Sequence, residues 1–178
     1  MINLNMSSLK SKNFVFLGLG ANLRSLSHSS IKKLLLSSMK RLNYIGLRVQ
    51  KPFYFLNSSP IPFTSGPNFI NCVFKCLIIG NKSSTPAKLY ANIVQIEKIL
   101  GKKKNKVNKA RFIDIDILDF KGKIVNESLI LPHPRLHLRK FVLEPLEKVC
   151  PSWEHPILKK RIAYLKSKIK TNEIIRKL

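Results

Sequence analysis

The sequence predicts an α+β protein in which two helices cover one face of an antiparallel sheet. The chain has 178 residues, of which 44% are apolar, enough for one domain with a core of its own. Periodic segments follow one another in the order strand, helix, strand, strand, helix, strand. This is the βαββαβ pattern of a ferredoxin-like core, and further segments after it predict an extra C-terminal hairpin and helices.

The first strand and helix follow residues 1–13, which are polar, lack a period and are expected to form a flexible extension. The apolar run from Phe14 to Leu19 predicts a strand that leads into a turn at Gly20. Ser27 or Ser29 can cap the next helix, which ends near Gly46. Its buried stripe is expected to consist of Ile31, Leu34, Leu35, Met39 and Leu42.

Two strands and a second helix come next. Strands are predicted over Leu47–Leu56 and Phe69–Ile79, joined by a loop with three prolines. A loop of this length is more often functional than neutral. Thr85-Pro86 then begins a helix, and Gly101 ends it. The buried side chains of this helix are predicted to be Leu89, Ile93, Ile96 and Leu100.

A Lys-rich loop over residues 102–110 leads to the last core strand, residues 111–118. A turn at residues 121–123 and a return strand at residues 124–125 are predicted next. Pro145 suggests a short helix that starts near Leu143, and a final helix with a basic outer face is expected from Ile157 onward. We therefore expect a single domain over residues 14–153 and a basic helix or tail over residues 154–178.

Composition excludes some classes of protein. No apolar run reaches the ~18 residues of a membrane span, and the first residues lack the apolar segment of a signal peptide, so a cytoplasmic protein is expected. Three cysteines are too few for a disulfide framework or a zinc knuckle. Cys72 and Cys76 would lie on one face of a strand, which indicates core packing.

The formal net charge is +24, which suggests a polyanionic partner such as nucleic acid, an acidic membrane or a phosphorylated small molecule. Most of the excess is lysine spread along the chain, together with abundant Ile, Asn and Ser, as a compositional bias of the whole coding sequence would produce. The charge is therefore a weak indication of nucleic-acid binding.

The segment Arg111-Phe112-Ile113-Asp114-Ile115-Asp116-Ile117-Leu118 is the strongest functional signal. On a strand, Asp114 and Asp116 would lie on one face, opposite to the three isoleucines. Two adjacent carboxylates repel each other unless a cation or a proton lies between them. Mg²⁺ takes oxygen ligands of this kind and completes its shell with water and substrate phosphates. The alternative is an amphipathic strand whose polar face meets water.

Cationic side chains elsewhere complete a candidate phosphate-transfer site. Arg111 offers a bidentate fork, and His133 and Arg139 follow in a proline-bracketed segment. If the helices cover the isoleucine side of the sheet, Phe69 and Asn71 share the open face with the aspartates. A P-loop enzyme is excluded because the sequence has no Gly-x-x-x-x-Gly-Lys-Ser/Thr segment.

Four blocks of residues, in order, resemble the 6-hydroxymethyl-7,8-dihydropterin pyrophosphokinases of the folate pathway. The resemblance covers about residues 14–153. The Arg-x-x-Asp-x-Asp block followed by Pro-His is its most specific part. The four blocks are Leu17-Gly18-Leu19-Gly20-Ala21-Asn22-Leu23, Gly66-Pro67-Asn68-Phe69-Ile70-Asn71, the Arg111–Leu118 segment, and Leu131-Pro132-His133-Pro134-Arg135 with Arg139-Lys140-Phe141.

The resemblance implies transfer of the terminal diphosphate of ATP to a pterin hydroxymethyl group, which leaves AMP. Asp114 and Asp116 would ligate two Mg²⁺ ions and be catalytic, together with Arg111, Lys102 and Lys104. ATP would contact a larger set of residues, namely Glu97, Arg111, Ile117, Leu129, Ile130, Leu131, His133 and Arg139. The pterin would contact Gly20, Phe69, Asn71 and Phe141, with the two phenylalanines stacked on its faces. ATP, a reduced pterin and a monomeric chain are expected, without a membrane or nucleic acid.

Three alternatives remain open from the sequence. An RNA-binding module of the same fold would need a Lys/Arg-Gly-Phe/Tyr-type segment, which is absent. A nucleotidyltransferase that uses Asp-x-Asp usually carries its glycine-rich motif close before the aspartates, whereas here Gly18 and Gly20 lie far before Asp114 in the sequence. A protein that binds ATP and pterin without turnover is the third alternative.

Overall fold

The computed structural model describes residues 13–22, 28–59, 67–101, 113–170 and 174–178. Seven strands are present in this part of the chain: β1 Phe14–Ala21, β2 Leu47–Ser58, β3 Phe69–Ile78, β4 Asp114–Phe120, β5 Val125–Asn126, β6 Ile130–Leu131 and β7 Ile175–Lys177. The α-helices are α1 His28–Leu42, α2 Pro86–Ile99, α3 Lys140–Val149 and α4 Ile162–Lys168. Short 3-10 helices span Asn43–Ile45 and Leu136–Leu138.

The central sheet has five strands in the order β4-β1-β3-β2-β7, and every neighbouring pair is antiparallel. Strands β5 and β6 form a separate two-stranded sheet. The α+β class and the antiparallel sheet are thus confirmed. The predicted start of the second helix is also confirmed, since the Thr85 hydroxyl accepts a hydrogen bond from the Lys88 N–H (3.3 Å) at the start of α2. Of the two predicted caps for the first helix, Ser29 lies inside α1 and is not its cap, and Ser27 lies outside the described residues.

A first hydrophobic core lies between the sheet and helices α1 and α2. The isoleucines of β4 face this core, as the alternation of β4 predicts. Cys72 and Cys76 are buried there as free thiols, and burial raises the pKa of Cys72 to about 12. The predicted helix stripes contribute most of the rest, namely Ile31, Leu35, Met39, Leu42, Leu89, Ile93 and Ile96.

A second core covers part of the opposite face, which was expected to be open. Phe16 and Val73 project from this face and pack with α3, α4 and Trp153. Helix α3 begins at Lys140, three residues before the predicted start, and carries Pro145 in its interior. The proline removes a backbone hydrogen bond and crowds the carbonyl of the preceding turn, and the apolar packing of Val142, Leu143 and Leu146 offsets this cost.

Two predictions about the C-terminal part were wrong. The return strand after β4 pairs with β6 and not with β4. The final helix spans only Ile162–Lys168, because residues 154–161 fold back in a turn in which the His155 N–H donates to the Lys160 carbonyl (3.0 Å). The chain then ends in a strand, β7, where a fraying helix was expected.

Every helix in the described part of the chain is too short or too polar to cross a lipid bilayer.

Candidate active site

Two glycines of β1, Gly18 and Gly20, form the centre of the candidate site, and we call this pair the glycine floor. Gly20 pairs with Asn71 on one side and with Asp114 on the other, and Gly18 pairs with Asp116. A Cβ atom added at Gly20 would lie 2.8 Å from Asn71 Oδ1. The missing side chain at Gly20 therefore leaves room for the Asn71 amide to lie over β1, on the side opposite to the two carboxylates.

Asp116 lies close to two basic residues that were predicted from the sequence, His133 and Arg139. Asp116 Oδ2 lies 3.3 Å from an Arg139 guanidinium nitrogen and 3.8 Å from His133 Nε2. The Asp116 side chain is 37% exposed, whereas those of His133 and Arg139 are 17% and 18% exposed. Asp114 is half-buried, and its charge, like that of Asp116, opposes the lowering of the Arg139 pKa that burial causes. The four predicted site residues thus form one cluster.

The position and protonation of His133 follow from backbone contacts. Its N–H donates to the Leu118 carbonyl (2.9 Å) at the end of the carboxylate strand. Its Nδ1 accepts a hydrogen bond from the Arg135 N–H (3.1 Å), which assigns the proton of the neutral ring to Nε2. Burial lowers the pKa of His133. The negative charge of Asp116 acts in the opposite direction, whereas the positive charges of Arg139 and Arg135 lower the pKa further. At neutral pH the ring is therefore uncharged, with its Nε2–H group near Asp116 but beyond hydrogen-bond distance of Oδ2 (3.8 Å).

Arg139 precedes α3, between a 3-10 helix and that helix. Its carbonyl accepts hydrogen bonds from the N–H groups of Val142 (3.1 Å) and Leu143 (3.0 Å), so the first turn of α3 fixes its backbone. Its guanidinium lies 5.5 Å from the centre of the Phe141 ring. Burial lowers the pKa of Arg139 from its high ordinary value, but a guanidinium stays charged. Arg139 is therefore a fixed cation beside the carboxylates.

Asn71 lies across the glycine floor from the carboxylates, and a hydrogen bond to Ser58 fixes the orientation of its side-chain amide. It is 7% exposed, and its Nδ2 donates to Ser58 Oγ at 2.8 Å. Ser58, at the end of β2, is 1% exposed and was not among the predicted residues. Phe69 and Phe141 are both half-buried, and Phe141 packs against the second core.

The residues predicted to bind ATP divide into several environments. Glu97 is 7% exposed, and its Oε1 accepts a hydrogen bond from the Ile115 N–H (2.8 Å), so it anchors the edge strand β4. Ile117 and Leu131 are buried in the first core, with Leu129 packed against it. Ile130 is 46% exposed. Arg111, Lys102 and Lys104 lie outside the described residues, so their roles stay predictions.

Asp119 is a buried carboxylate that the sequence did not single out. The register between β1 and β4 shifts so that Leu118 has no partner, and this bulge turns Asp119 toward the second core. Asp119 Oδ2 accepts a hydrogen bond from Trp153 Nε1 (2.7 Å), and Oδ1 accepts one from the Gly122 N–H (2.8 Å). Its role is to fasten the C-terminal segment to β4.

The donor set suits a magnesium ion. Among the described residues no three His, Cys, Asp or Glu side chains converge as a complete metal site, and Asp114 and Asp116 could offer an ion two carboxylates. Mg²⁺ is typically held by one or two carboxylates together with waters and substrate phosphates. The pair fits this pattern and does not fit a structural zinc site.

A cavity of about 590 Å³ lies elsewhere, between α1 and the first half of β2. Its lining includes Leu36, Arg48 and Phe53 and shares no residue with the carboxylate cluster. Its location does not bear on the chemistry of the cluster.

Comparison with known proteins matches residues 16–151 to the family model described as 7,8-dihydro-6-hydroxymethylpterin-pyrophosphokinase. The chain belongs to this family. The match contains the glycine floor, Asn71, both carboxylates, His133 and Arg139, whereas α4 and β7 lie beyond it. The pyrophosphokinases are transferases, which is the enzyme class predicted from the sequence.

Individual relatives agree with this family assignment. The chain is 35% identical over 161 residues to the folic acid synthesis protein fol1 of Pneumocystis carinii, covering 90% of this chain and 20% of that protein. It is 32% identical over 154 residues to the 2-amino-4-hydroxy-6-hydroxymethyldihydropteridine pyrophosphokinase of Aquifex aeolicus, covering 85% of this chain and 89% of that protein. The chain thus spans about a fifth of the Pneumocystis protein and most of the Aquifex protein.

Solved structures share the fold of this chain. A crystal structure of wild-type Plasmodium falciparum HPPK-DHPS with pterin and p-hydroxybenzoate superposes with a TM-score of 0.65 and 16% identity. The superposition covers 93% of this chain and 48% of that chain. At this level of identity the likeness supports the fold alone.

Proposed function

We propose that the chain transfers the diphosphate of ATP to the hydroxymethyl group of 6-hydroxymethyl-7,8-dihydropterin, giving AMP and the pterin diphosphate. The observation that carries the proposal is the cluster of Asp114 and Asp116 with His133 and Arg139 on one side of the glycine floor, opposite to Asn71. Carboxylates and cations suit a metal-bound triphosphate, and an amide suits the edge of a heterocycle. The family membership agrees with this assignment.

In the proposed reaction, the pterin hydroxyl oxygen attacks the β-phosphorus of ATP in line with the leaving group. A bond forms between that oxygen and the β-phosphorus, the bond between the β-phosphorus and the α–β bridging oxygen breaks, and AMP leaves with that oxygen and the bonding electrons. The hydroxyl proton goes to Asp116 or to solvent. No covalent enzyme intermediate is needed, so catalysis consists of positioning and electrostatic stabilisation.

The phosphate side of the site is assigned to charged residues. Asp114 and Asp116 would hold two Mg²⁺ ions, which when bound supply charge neutralisation and orientation of the phosphates. His133 donates its Nε2–H and Arg139 its guanidinium N–H groups to phosphate oxygens. Arg111, Lys102 and Lys104 are proposed as further cations, by the resemblance of their positions.

The two ring systems are assigned to opposite parts of the site. The pterin is proposed to lie over Gly20, with Asn71 at its edge and Phe69 and Phe141 on its faces. The adenine is proposed to lie near Ile117 and the β5–β6 hairpin, including Leu129, Ile130 and Leu131. Glu97 would shape this side through its hydrogen bond to the Ile115 N–H.

We also propose that the core is ferredoxin-like and that the protein acts as a monomer. The order β4-β1-β3-β2 and the two helices α1 and α2 on one face support the ferredoxin-like assignment.

The test is an assay of AMP formation from ATP, Mg²⁺ and the reduced hydroxymethylpterin. We expect pterin-dependent AMP from the parent protein and a loss of at least about 100-fold in kcat for Asp116→Asn, because one negative charge is removed from the metal-binding pair. Glu154→Gln is the matched control, since Glu154 is exposed and distant in sequence from the cluster. The proposal fails if the parent makes no pterin-dependent AMP, or if Asp116→Asn is as active as Glu154→Gln.

A further inference from the structure

The C-terminal strand β7 lies outside the residues matched by the family, yet it borders the pterin side of the site. It pairs with the last residues of β2, with Ile175 opposite Ser58 and Lys177 opposite Leu56. The Ser59 N–H donates to the Ile174 carbonyl (3.2 Å), and the Ile174 N–H donates to Ser59 Oγ (3.3 Å). The Leu178 N–H donates to the Phe55 carbonyl (3.1 Å) at the other end of the pairing.

The same end of β2 determines how Asn71 is oriented. Ser58 Oγ accepts the hydrogen bond from Asn71 Nδ2, and Ser58 pairs with Phe69 across the β2–β3 ladder. Ser58 and Ser59 are 1% and 7% exposed. Ile174, which directly precedes β7, is therefore linked to the Asn71 amide by hydrogen bonds at Ser59 and at Ser58, which are joined to each other by their peptide bond.

We propose that β7 is a positioning element for the pterin-binding residues, acting through Ser59 and Ser58 on Asn71. The proposal rests on the function proposed above and extends it to a segment beyond the family match.

The physical reason is the fraying of strand ends. Without β7, the last residues of β2 would be paired on one side only among the described strands, and strand ends of this kind open readily. Opening would move Ser58 and release the Asn71 amide, which would then accept or donate in several orientations. A substrate that relies on one orientation loses part of its binding energy, whereas ATP at the carboxylate end is unaffected.

The pairing pattern of β2 and β7 suggests two variants that differ in one backbone N–H group. In an antiparallel ladder every second residue pair is hydrogen-bonded. Ser59–Ile174 and Phe55–Leu178 are such pairs, so Asn57–Arg176, midway between them, is a hydrogen-bonded pair as well. Arg176→Pro removes the N–H at this position, and Arg176→Ala retains it while removing the same exposed side chain. Ser59→Ala, which deletes the acceptor of the Ile174 N–H, is a milder second variant, and Ser59→Thr restores it.

Two measurements are made on the full chain: the NMR resonances of the Asn71 side-chain amide without ligands, and the KM values for pterin and for ATP. For Arg176→Pro we expect the amide resonances to shift and broaden. We also expect a rise of about threefold to tenfold in the KM for pterin, with the KM for ATP changed by less than about twofold. Ser59→Ala should show the same pattern more weakly, and Arg176→Ala and Ser59→Thr should resemble the parent.

The proposal is overturned if Arg176→Pro and Ser59→Ala leave the Asn71 amide resonances unchanged. It is also overturned if they raise the KM for ATP as much as the KM for pterin, because that would indicate general loosening of the fold. If the parent protein lacks pterin-dependent turnover, the proposed function fails, and the NMR comparison still decides whether β7 orients Asn71.

Discussion

At the scale of single residues, the absence of a side chain at Gly20 determines where Asn71 can place its amide. Asn71 Oδ1 occupies the space that a Cβ atom at Gly20 would need, at a separation of 2.8 Å. At Gly18 the corresponding Cβ would meet Leu118 at an ordinary 3.6 Å. The two glycines therefore differ in what they permit, although both lie on the same face of β1.

We predict that Gly20→Ala displaces the Asn71 amide and breaks its hydrogen bond to Ser58. The KM for pterin should rise by about tenfold, because the loss of one well-oriented hydrogen-bonding group costs about 1.4 kcal/mol. Gly18→Ala is the matched control and should change this KM by less than about twofold. Steady-state kinetics with varied pterin checks the pair, and equal effects of the two substitutions would contradict the steric argument.

The residues of the site differ in how far the sequence could predict them. The shared face of Asp114 and Asp116 follows from local alternation, and the structure places both beside Gly18 and Gly20. The contact of Asp116 with Arg139 spans 23 residues and was suggested only by charge and by family resemblance. The Ser58–Asn71 hydrogen bond depends on the register of two strands separated by a long loop, and no local pattern encodes it.

At the scale of elements, the bulge in β4 separates the functional carboxylates from a structural one. Strict alternation would send Asp119 into the first core with Ile115 and Ile117. The extra residue Leu118 instead turns it toward Trp153, which donates to it. A bulge depends on the pairing of two strands, so neither the reorientation of Asp119 nor its partner could be predicted from sequence.

We predict that Trp153→Phe destabilises the fold by about 1–3 kcal/mol, because Asp119 Oδ2 would be left buried without its donor. Burial raises the pKa of Asp119, although the hydrogen bonds from Trp153 and Gly122 lower it in part. Loss of the Trp153 bond should therefore raise this pKa further. The folded variant then holds a proton more readily, so its deficit relative to the parent should be smaller at pH 5 than at pH 7.5. Urea unfolding at both pH values measures this deficit.

The control for this substitution is Tyr164→Phe, in which an aromatic side chain that is 47% exposed loses its polar group. We expect its free energy of unfolding to stay within about 0.5 kcal/mol of the parent. A deficit for Trp153→Phe no larger than that of Tyr164→Phe would show that the Asp119–Trp153 bond contributes nothing to stability.

At the scale of the whole molecule, the site lies where the two cores meet on the sheet. Asp114 and Asp116 belong to a strand whose other face packs in the first core, whereas Arg139 and Phe141 belong to the segment that packs on the second core. The ion pairs of Lys166 in α4 with Glu144 (3.2 Å) and Glu147 of α3 join the two helices of this second core. Assembly of the site therefore requires that both halves of the molecule be folded.

Acid stability is a property of the whole molecule to which one histidine makes a distinct contribution. His155 is 3% exposed, and its Nδ1 accepts hydrogen bonds from the N–H groups of Ile157 (3.2 Å) and Leu158 (3.3 Å). Burial, supported by His137, lowers the pKa of His155 to about 4. The protonated ring would lose both hydrogen bonds at Nδ1, so the folded state holds it neutral.

The sign of the pH dependence follows from this difference between the folded and unfolded states. Between pH 6.5 and pH 4 the unfolded chain binds a proton at His155 and the folded chain does not. Stability therefore falls as the pH falls through this window, by about 3 kcal/mol from this residue alone. The contribution is fully present above pH 6.5.

We predict that His155→Asn removes this part of the acid sensitivity, because the Asn carboxamide oxygen can accept the same two N–H groups and does not titrate. The variant should be less stable than the parent at pH 7, since a smaller side chain fills the site beside Trp153. The difference should shrink by about 3 kcal/mol as the pH is lowered to 4.

Urea unfolding at pH 7, 5.5 and 4.5 measures how the free energy of unfolding changes with pH. The control is His137→Asn, which removes only a secondary influence on His155 and should alter this pH dependence less. A His155→Asn slope equal to that of the parent would mean that other groups account for the loss of stability in acid.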